Sequence, residues 1–250
     1  MCDDRVVKRM IGLLVVLGAA AVGVVPAGPR PSAAESKVFL VSTIKTEDPV
    51  VFITIDDGFR LDPEAAGLIR RWNWPITSFV ISAPLRQDFA WFADLGIHPV
   101  FGNHTRRHTF LEGLTLEQQK RAICDGADDI EKVTGSRPVW LRPPHGAVDD
   151  ETFRAAAACG MKGVVLWHVS VNGTTISTVG NQPIRRGDII LLHYRTDLGA
   201  SLAALKERLD EAGLRAASLD DYLPGPAPIT VPSAGCPVHF TESCLLRASS

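Results

Sequence analysis

Short apolar, β-branched runs alternate with amphipathic stretches along most of this 250-residue chain. The runs 50–55, 76–81, 99–101, 139–141, 163–167 and 188–192 lack the strict alternation of a half-exposed strand, so they predict strands buried on both faces. Between most of them the apolar residues recur at helical spacing. Asp62 followed by Pro63 reads as an N-cap with proline at the first helical position, and Ala65, Leu68 and Ile69 share one face. Thr115 with Gln118 forms a capping box opening a long helix that Gly135 ends. A further helix over 150–159 stops at Gly160, and Leu202, Leu205 and Leu209 stripe a late one closed by Gly213. Strands alternating with helices predict an α/β fold with a mostly parallel sheet, either doubly wound or rolled into a barrel.

The two ends of the chain break this pattern. Arg5, Lys8 and Arg9 precede an apolar run over 10–25, and helix breakers follow at Pro26, Gly28, Pro29 and Pro31. Ser32, Ala33 and Ala34 then supply small residues, which completes the layout of a secretory signal. The run is shorter than the roughly 20 residues of a spanning helix, although an uncleaved anchor is also consistent with it. Residues 1–34 are therefore set apart, 35–223 are expected to form one domain, and the proline-rich 224–250 is a tail. The expected location is secreted or on the cell surface, with membrane contact only through an uncleaved N-terminal segment.

Cleavage after Ala34 removes four of 26 basic and two of 28 acidic residues, leaving a net charge of about −4 with neutral histidine. Nothing in that balance asks for nucleic acid. Cys124, Cys159, Cys236 and Cys244 remain, an even number suited to an oxidising compartment. Of the three possible connectivities, Cys124 with Cys159 and Cys236 with Cys244 is the expected one. A cysteine metal cluster is not expected, because no C-x-x-C occurs.

The polar residues of interest fall just after predicted strands. Neighbouring parallel strands deliver their next residues to one rim, where sites of such folds lie. Asp56 and Asp57, then His104 and His108, then Arg142, then His193 follow four separate strands. A hydrolytic metal needs about three N/O ligands and an open position, a count that Asp57, His104 and His108 meet. On a helical turn, the i to i+4 spacing of the two histidines puts them on one side. Each feature has a plainer reading: the histidine pair as surface or packing, Asp57-Gly58 as a turn, His193 as a core-edge residue. Two adjacent carboxylates ending a buried strand are costly unless a cation meets them, and their convergence with Arg142 favours a site.

Four motifs together resemble a known family: Thr54-Ile55-Asp56-Asp57-Gly58-Phe59, Asn103-His104-Thr105-Arg106-Arg107-His108, Arg142-Pro143-Pro144-His145-Gly146 and Leu191-Leu192-His193. Their order and spacing are similar to the NodB-type polysaccharide deacetylases of carbohydrate esterase family 4. The resemblance spans 50–223 and implies a distorted, incomplete (β/α) barrel. It implies Asp56 as general base, Arg142 as its holder, His193 as general acid, and Asp57, His104 and His108 as ligands of a divalent metal. That metal is expected to be zinc, with cobalt, manganese or nickel as alternatives. Leu191 is implied to meet the acetyl methyl, and Trp167, Pro144 and His145 join it as expected substrate contacts.

The implied partner is a polysaccharide acted on by a monomer, through N-acetylglucosamine units of peptidoglycan or chitin-like chains. O-acetyl groups are the alternative, and a sugar- or metal-binding domain with little turnover is the reading from another class. The chain departs from the family at Trp167-His168-Val169-Ser170-Val171-Asn172, which lacks the carboxylates that tune the catalytic histidine. Asp149 and Asp197 are the candidate substitutes. His145 stands where an aromatic residue is usual.

Overall fold

The computed structural model describes residues 38–95 and 99–223. The six expected strands are present as β2 (Val50–Asp57), β3 (Ile76–Val80), β4 (Val100–Asn103), β5 (Trp140–Leu141), β6 (Gly163–Val165) and β9 (Ile189–His193). Four more join them: β1 (Phe39–Val41), β7 (Val169–Asn172), β8 (Thr175–Thr178) and β10 (Arg215–Ala216). The sheet order is β1-β6-β5-β4-β3-β2-β9-β7-β8, with β10 also on β2. Every pairing of these strands is parallel except the β7–β8 hairpin. This mostly parallel sheet curls into an incomplete barrel with helices outside, as expected.

The helices are α1 (Pro63–Trp72), α2 (Ser82–Ala93), α3 (Leu116–Thr134), α4 (Asp150–Ala158), α5 (Leu198–Ala212) and the short α6 (Leu219–Tyr222). Asp62 caps α1 through Glu64 N, Thr115 and Gln118 cap α3 reciprocally, and Gly135 and Gly213 close α3 and α5 in the left-handed conformation. Two elements escape the apolar pattern for local reasons. In α2, Pro84 and a break at Asp88 interrupt the helical period. The β7–β8 hairpin turns at Gly173-Thr174, where Asn172-Gly173 is the turn signal and Gly173 takes φ +58°.

Seven consecutive residues of β2, Val50 to Asp56, are buried, because β3 and β9 flank the strand and side chains cover both faces. Cys124 of α3 and Cys159 at the end of α4 form a disulfide, as expected. The expectations for 1–34, 224–250 and Cys236 with Cys244 lie outside the described residues. Among the described residues no helix is long and apolar enough to cross a membrane.

Candidate active site

The strands β5, β4, β3, β2 and β9 are successive neighbours, so four chain segments reach one rim. Asp56 and Asp57 end β2, His104 and His108 lie in the turn after β4, Arg142 follows β5, and His193 ends β9. A cavity of about 690 Å³ opens at the other end of the strands, between residues such as Trp74, Val100 and Arg215, and no expected site residue lines it.

Asp57 Oδ1 lies 3.6 Å from His104 Nε2 and 3.5 Å from His108 Nε2. Two ligands bonded about 2.0–2.1 Å from one tetrahedral ion stand roughly 3.4 Å apart, so this donor set fits a divalent metal. Asp57 Oδ1 is also buried and hydrogen-bonds to no described residue, a costly state for a carboxylate unless a cation meets it. His104 Nδ1 bonds the backbone oxygen of Arg142 at 2.6 Å, leaving the Nε2 lone pair facing Asp57. Burial holds the His104 pKa below its usual value against the opposing pull of Asp56 and Asp57, which favours the neutral form that binds metal.

The two histidines are not on a helix, contrary to the expectation from their spacing. Residues 105–107 form a turn in which Thr105 and His108 take φ +64° and +57°. Thr105 Oγ1 accepts from Thr109 N at 2.9 Å and steadies that turn, and the imidazoles meet nearly edge-on with centroids 4.9 Å apart. The convergence of the pair comes from the turn rather than from helical periodicity.

Asp56 is 2% exposed and plays a different part from its neighbour. Its Oδ1 accepts from Arg142 Nη1 at 2.8 Å, and its Oδ2 lies 3.7 Å from His104 Nε2. Arg142 is fully buried and donates also to Thr54 Oγ1, Val165 O and Leu166 O at 2.7–3.0 Å, with its guanidinium 4.2 Å from the Phe79 ring centre. Four acceptors around one planar fork fix its orientation, and so fix Asp56. Asp57 takes φ +81°, a reversal that lets adjacent carboxylates face different partners.

His193 pairs in register with Asp56 across β9 and β2. Its Nδ1 is buried and hydrogen-bonds to no described residue. Burial lowers its pKa, Asp56 and Asp57 oppose that, and Arg195 and Arg142 add to it. Neither candidate substitute serves Nδ1: the carboxylate of Asp149 accepts from Gly113 N, Gln119 and Thr152, and Asp197 is exposed ahead of α5. Leu191 is buried on β9, Pro144 is buried at the start of a single 3-10 turn, and Trp167 packs near Arg142. His145 is exposed, with its ring 4.8 Å from that of His108.

The polysaccharide deacetylase family model matches residues 43–164. A Streptomyces coelicolor protein, itself uncharacterized, is 37% identical over 193 residues, covering 74% of this chain and 77% of that protein. The chain belongs to the polysaccharide deacetylase family. It is therefore a deacetylase of the hydrolase class. A peptidoglycan-N-acetylglucosamine deacetylase of Bacillus cereus is 26% identical over 194 residues, covering 72% of this deacetylase and 91% of the relative. Among solved structures, a carbohydrate esterase family 4 pseudoenzyme from Bacillus anthracis matches with a TM-score of 0.63 at 18% identity, over 73% of this chain and 68% of that one. The fold is thus shared even with a pseudoenzyme, so the site residues have to carry any argument about turnover.

Sequence reasoning missed the supports of the deacetylase's histidine turn. Asn103 bridges it to α3, donating from Nδ2 to Ile123 O at 2.8 Å and accepting from Thr105 N at 2.9 Å. Arg106 N donates to Ala122 O, and its side chain pairs with Asp129 at 3.0 Å and Asp125 at 3.2 Å. Asp129, nearly buried, also accepts from Ser82 Oγ and pairs with Arg86, tying α2, α3 and the turn together. The only trace of this in the sequence is acidic residues of α3 spaced four apart, which mark a helix face without naming its partner.

Proposed function

We propose that this enzyme removes acetyl groups from amino sugars of an extracellular polysaccharide with the help of one divalent metal ion. The observation that carries the reading is the separation of two adjacent carboxylates: Asp57 Oδ1 faces His104 and His108, whereas Asp56 is held by Arg142. Zinc is the proposed ion, and cobalt, manganese or nickel would suit the same N/O donors. Held by Asp57, His104 and His108, such an ion would supply Lewis-acid polarisation of the scissile carbonyl and make a nearby water more acidic.

The chain's own residues do the rest. Asp56 Oδ2, left free by the grip of Arg142 on Oδ1, takes the proton of the attacking water. Arg142 keeps that carboxylate aimed. His193, beside Asp56 across the strand pair, hands a proton to the departing amine. Leu191 meets the acetyl methyl, and Trp167, Pro144 and His145 wall the sugar groove. The substrate proposed is N-acetylglucosamine within peptidoglycan or chitin-like chains, a reading supported by the Bacillus cereus relative. Residues 1–34 act as export signal or anchor, 35–223 as a monomeric catalytic unit and 224–250 as a tail.

The unpartnered Nδ1 of His193 favours a second reading on O-acetyl groups. An ester oxygen departs unprotonated more readily than an amide nitrogen does, so it asks less of the acid. Acetate release from chitooligosaccharide, peptidoglycan and acetylxylan, with added zinc or cobalt, separates the two. Asp56→Asn is expected to lose about 10²–10⁴ in rate with its metal retained, whereas His104→Ala and His108→Ala lose metal. Unchanged metal stoichiometry in both histidine variants would sink the ligand assignment. Release from none of the substrates by metal-loaded protein would leave a binding domain instead.

A further inference from the structure

The rim that carries the site also carries exposed arginines and exposed aromatic rings. Arginines follow the site motifs closely: Arg60 three residues after Asp57, Arg107 between the two ligand histidines, and Arg195 two after His193. The other arginines of this edge are engaged, Arg142 with Asp56, Arg106 with Asp125 and Asp129, and Arg86 with Asp129. By contrast Arg60, Arg107 and Arg195 are exposed and ion-pair with no described residue, and the sole side-chain bond of Arg195 is a long one of 3.4 Å to Asn172. The other acidic groups on these loops are Asp62, buried and accepting from Glu64 N and Gly199 N, Asp197, exposed, and Glu112, partly buried. Three exposed guanidinium groups without an acidic partner among the described residues can meet an anionic ligand, and guanidinium is the group best shaped for carboxylate.

The two large hydrophobic side chains exposed among the described residues are Phe59 and Phe110, 64% and 44% accessible. Both belong to this rim, two residues beyond the ligands Asp57 and His108. Phe59 leaves the end of β2, while Phe110 lies beyond β4 with its ring 5.9 Å from that of His145, so β3 separates their strands in the sheet. Exposed aromatic rings beside a polar centre offer cover to an apolar ligand face, and the C–H face of a pyranose is such a surface.

We propose that Phe59 and Phe110 stack sugar rings on either side of the reacting residue while Arg60, Arg107 and Arg195 pair with carboxylates borne by the adjacent sugars. The preferred substrate is thus an amino-sugar polymer carrying carboxylates on the glycan itself, an inference that rests on the deacetylase reading. Arg107, between the metal-binding histidines in the chain, favours an anion borne close to the reacting sugar, which a carboxylate on a long peptide branch does not guarantee.

The test uses peptidoglycan glycan strands freed of their peptides, compared with the same strands after amidation of their lactyl carboxylates. Binding is measured to the full-length Asp56→Asn protein loaded with zinc, so that turnover does not intrude. Native strands are expected to bind about tenfold more tightly than amidated ones at low salt, and the gap should close at high salt. In an added Arg60→Gln, Arg107→Gln, Arg195→Gln background the two strands bind alike. Phe59→Ala with Phe110→Ala weakens both strands by a similar factor. Equal binding of native and amidated strands to the parent protein, or a preference that survives the triple arginine change, overturns the proposal. Acetate release by wild-type enzyme from neutral chitooligosaccharide reports on the deacetylase reading separately, so the two failures are distinguishable.

Discussion

Replacing Gly126 by alanine puts a methyl group where α3 meets the turn that carries His104 and His108. A Cβ at this position would lie 2.7 Å from Asn103 Oδ1 and 3.0 Å from both Arg106 N and the Thr105 carbonyl carbon. Ordinary contacts begin at about 3.5 Å, so the turn has to retreat by several tenths of an ångström. Two effects then oppose each other. Alanine favours the helix by about 1 kcal/mol over glycine, and overpacking a tight contact costs roughly 1–3 kcal/mol. The net expectation is a loss of about 0–2 kcal/mol, a fall in Tm of no more than about 8 °C. Metal affinity is the more sensitive readout, because the retreat moves both imidazoles relative to Asp57. Disturbing residues that orient ligands typically costs 10–100-fold in affinity, and a weakening of about that size is expected. Zinc affinity by chelator competition, with melting curves taken with and without zinc, checks both numbers. A Gly126→Ala protein that is about 1 kcal/mol more stable and binds zinc as before would refute a turn seated directly on α3.

Three further outcomes follow from the same geometry. Cys124→Ser with Cys159→Ser removes a cross-link between residues 35 apart, which the chain-entropy relation values at about 4 kcal/mol; a Tm unchanged from the oxidised parent would contradict it. Burial lowers the pKa of His168 against the field of Asp188, so its neutral form supports the fold above about pH 6.5 and that support is lost as pH falls through the lower folded value. Asp188 is raised by burial and acts with the opposite sign, so His168→Gln with Asp188 intact should flatten the acid side of a stability–pH curve between about pH 7 and 5. Arg142→Lys cannot span Asp56, Thr54, Val165 and Leu166 at once, and is expected to lower stability by about 3 kcal/mol and kcat by about 100-fold; wild-type kcat would show that the fork does not position Asp56.

Much of the scaffold was legible because its signals are local. The buried runs of β2, β3 and β9, the capping pairs Asp62 with Pro63 and Thr115 with Gln118, and the closing glycines Gly135 and Gly213 each depend on a few neighbouring residues. The hairpin after Trp167 carried its own cue at Asn172-Gly173, but its strands are short and not apolar enough to announce themselves. The helical reading of 104–108 failed because spacing alone cannot tell a helix from a turn in which Thr105 and His108 are left-handed.

The sequence by itself determined which residues gather at the rim, since parallel strands must deliver Asp56, Asp57, His104, His108, Arg142 and His193 to the same edge. It also determined the family, through four motifs in order. Only the tertiary structure decided how those residues share the work. Asp57 reaches both histidines, whereas Asp56 approaches only His104, where the backbone turns at Asp57, and Arg142 claims Asp56 because Thr54, Val165 and Leu166 lock its fork. The seating of the histidine turn on Gly126, Asn103 and Asp129, and the bare Nδ1 of His193, are contacts between segments far apart in the chain. Local pattern fixes strands and turns, but charge pairing and close approach depend on distances that exist only once the sheet has curled.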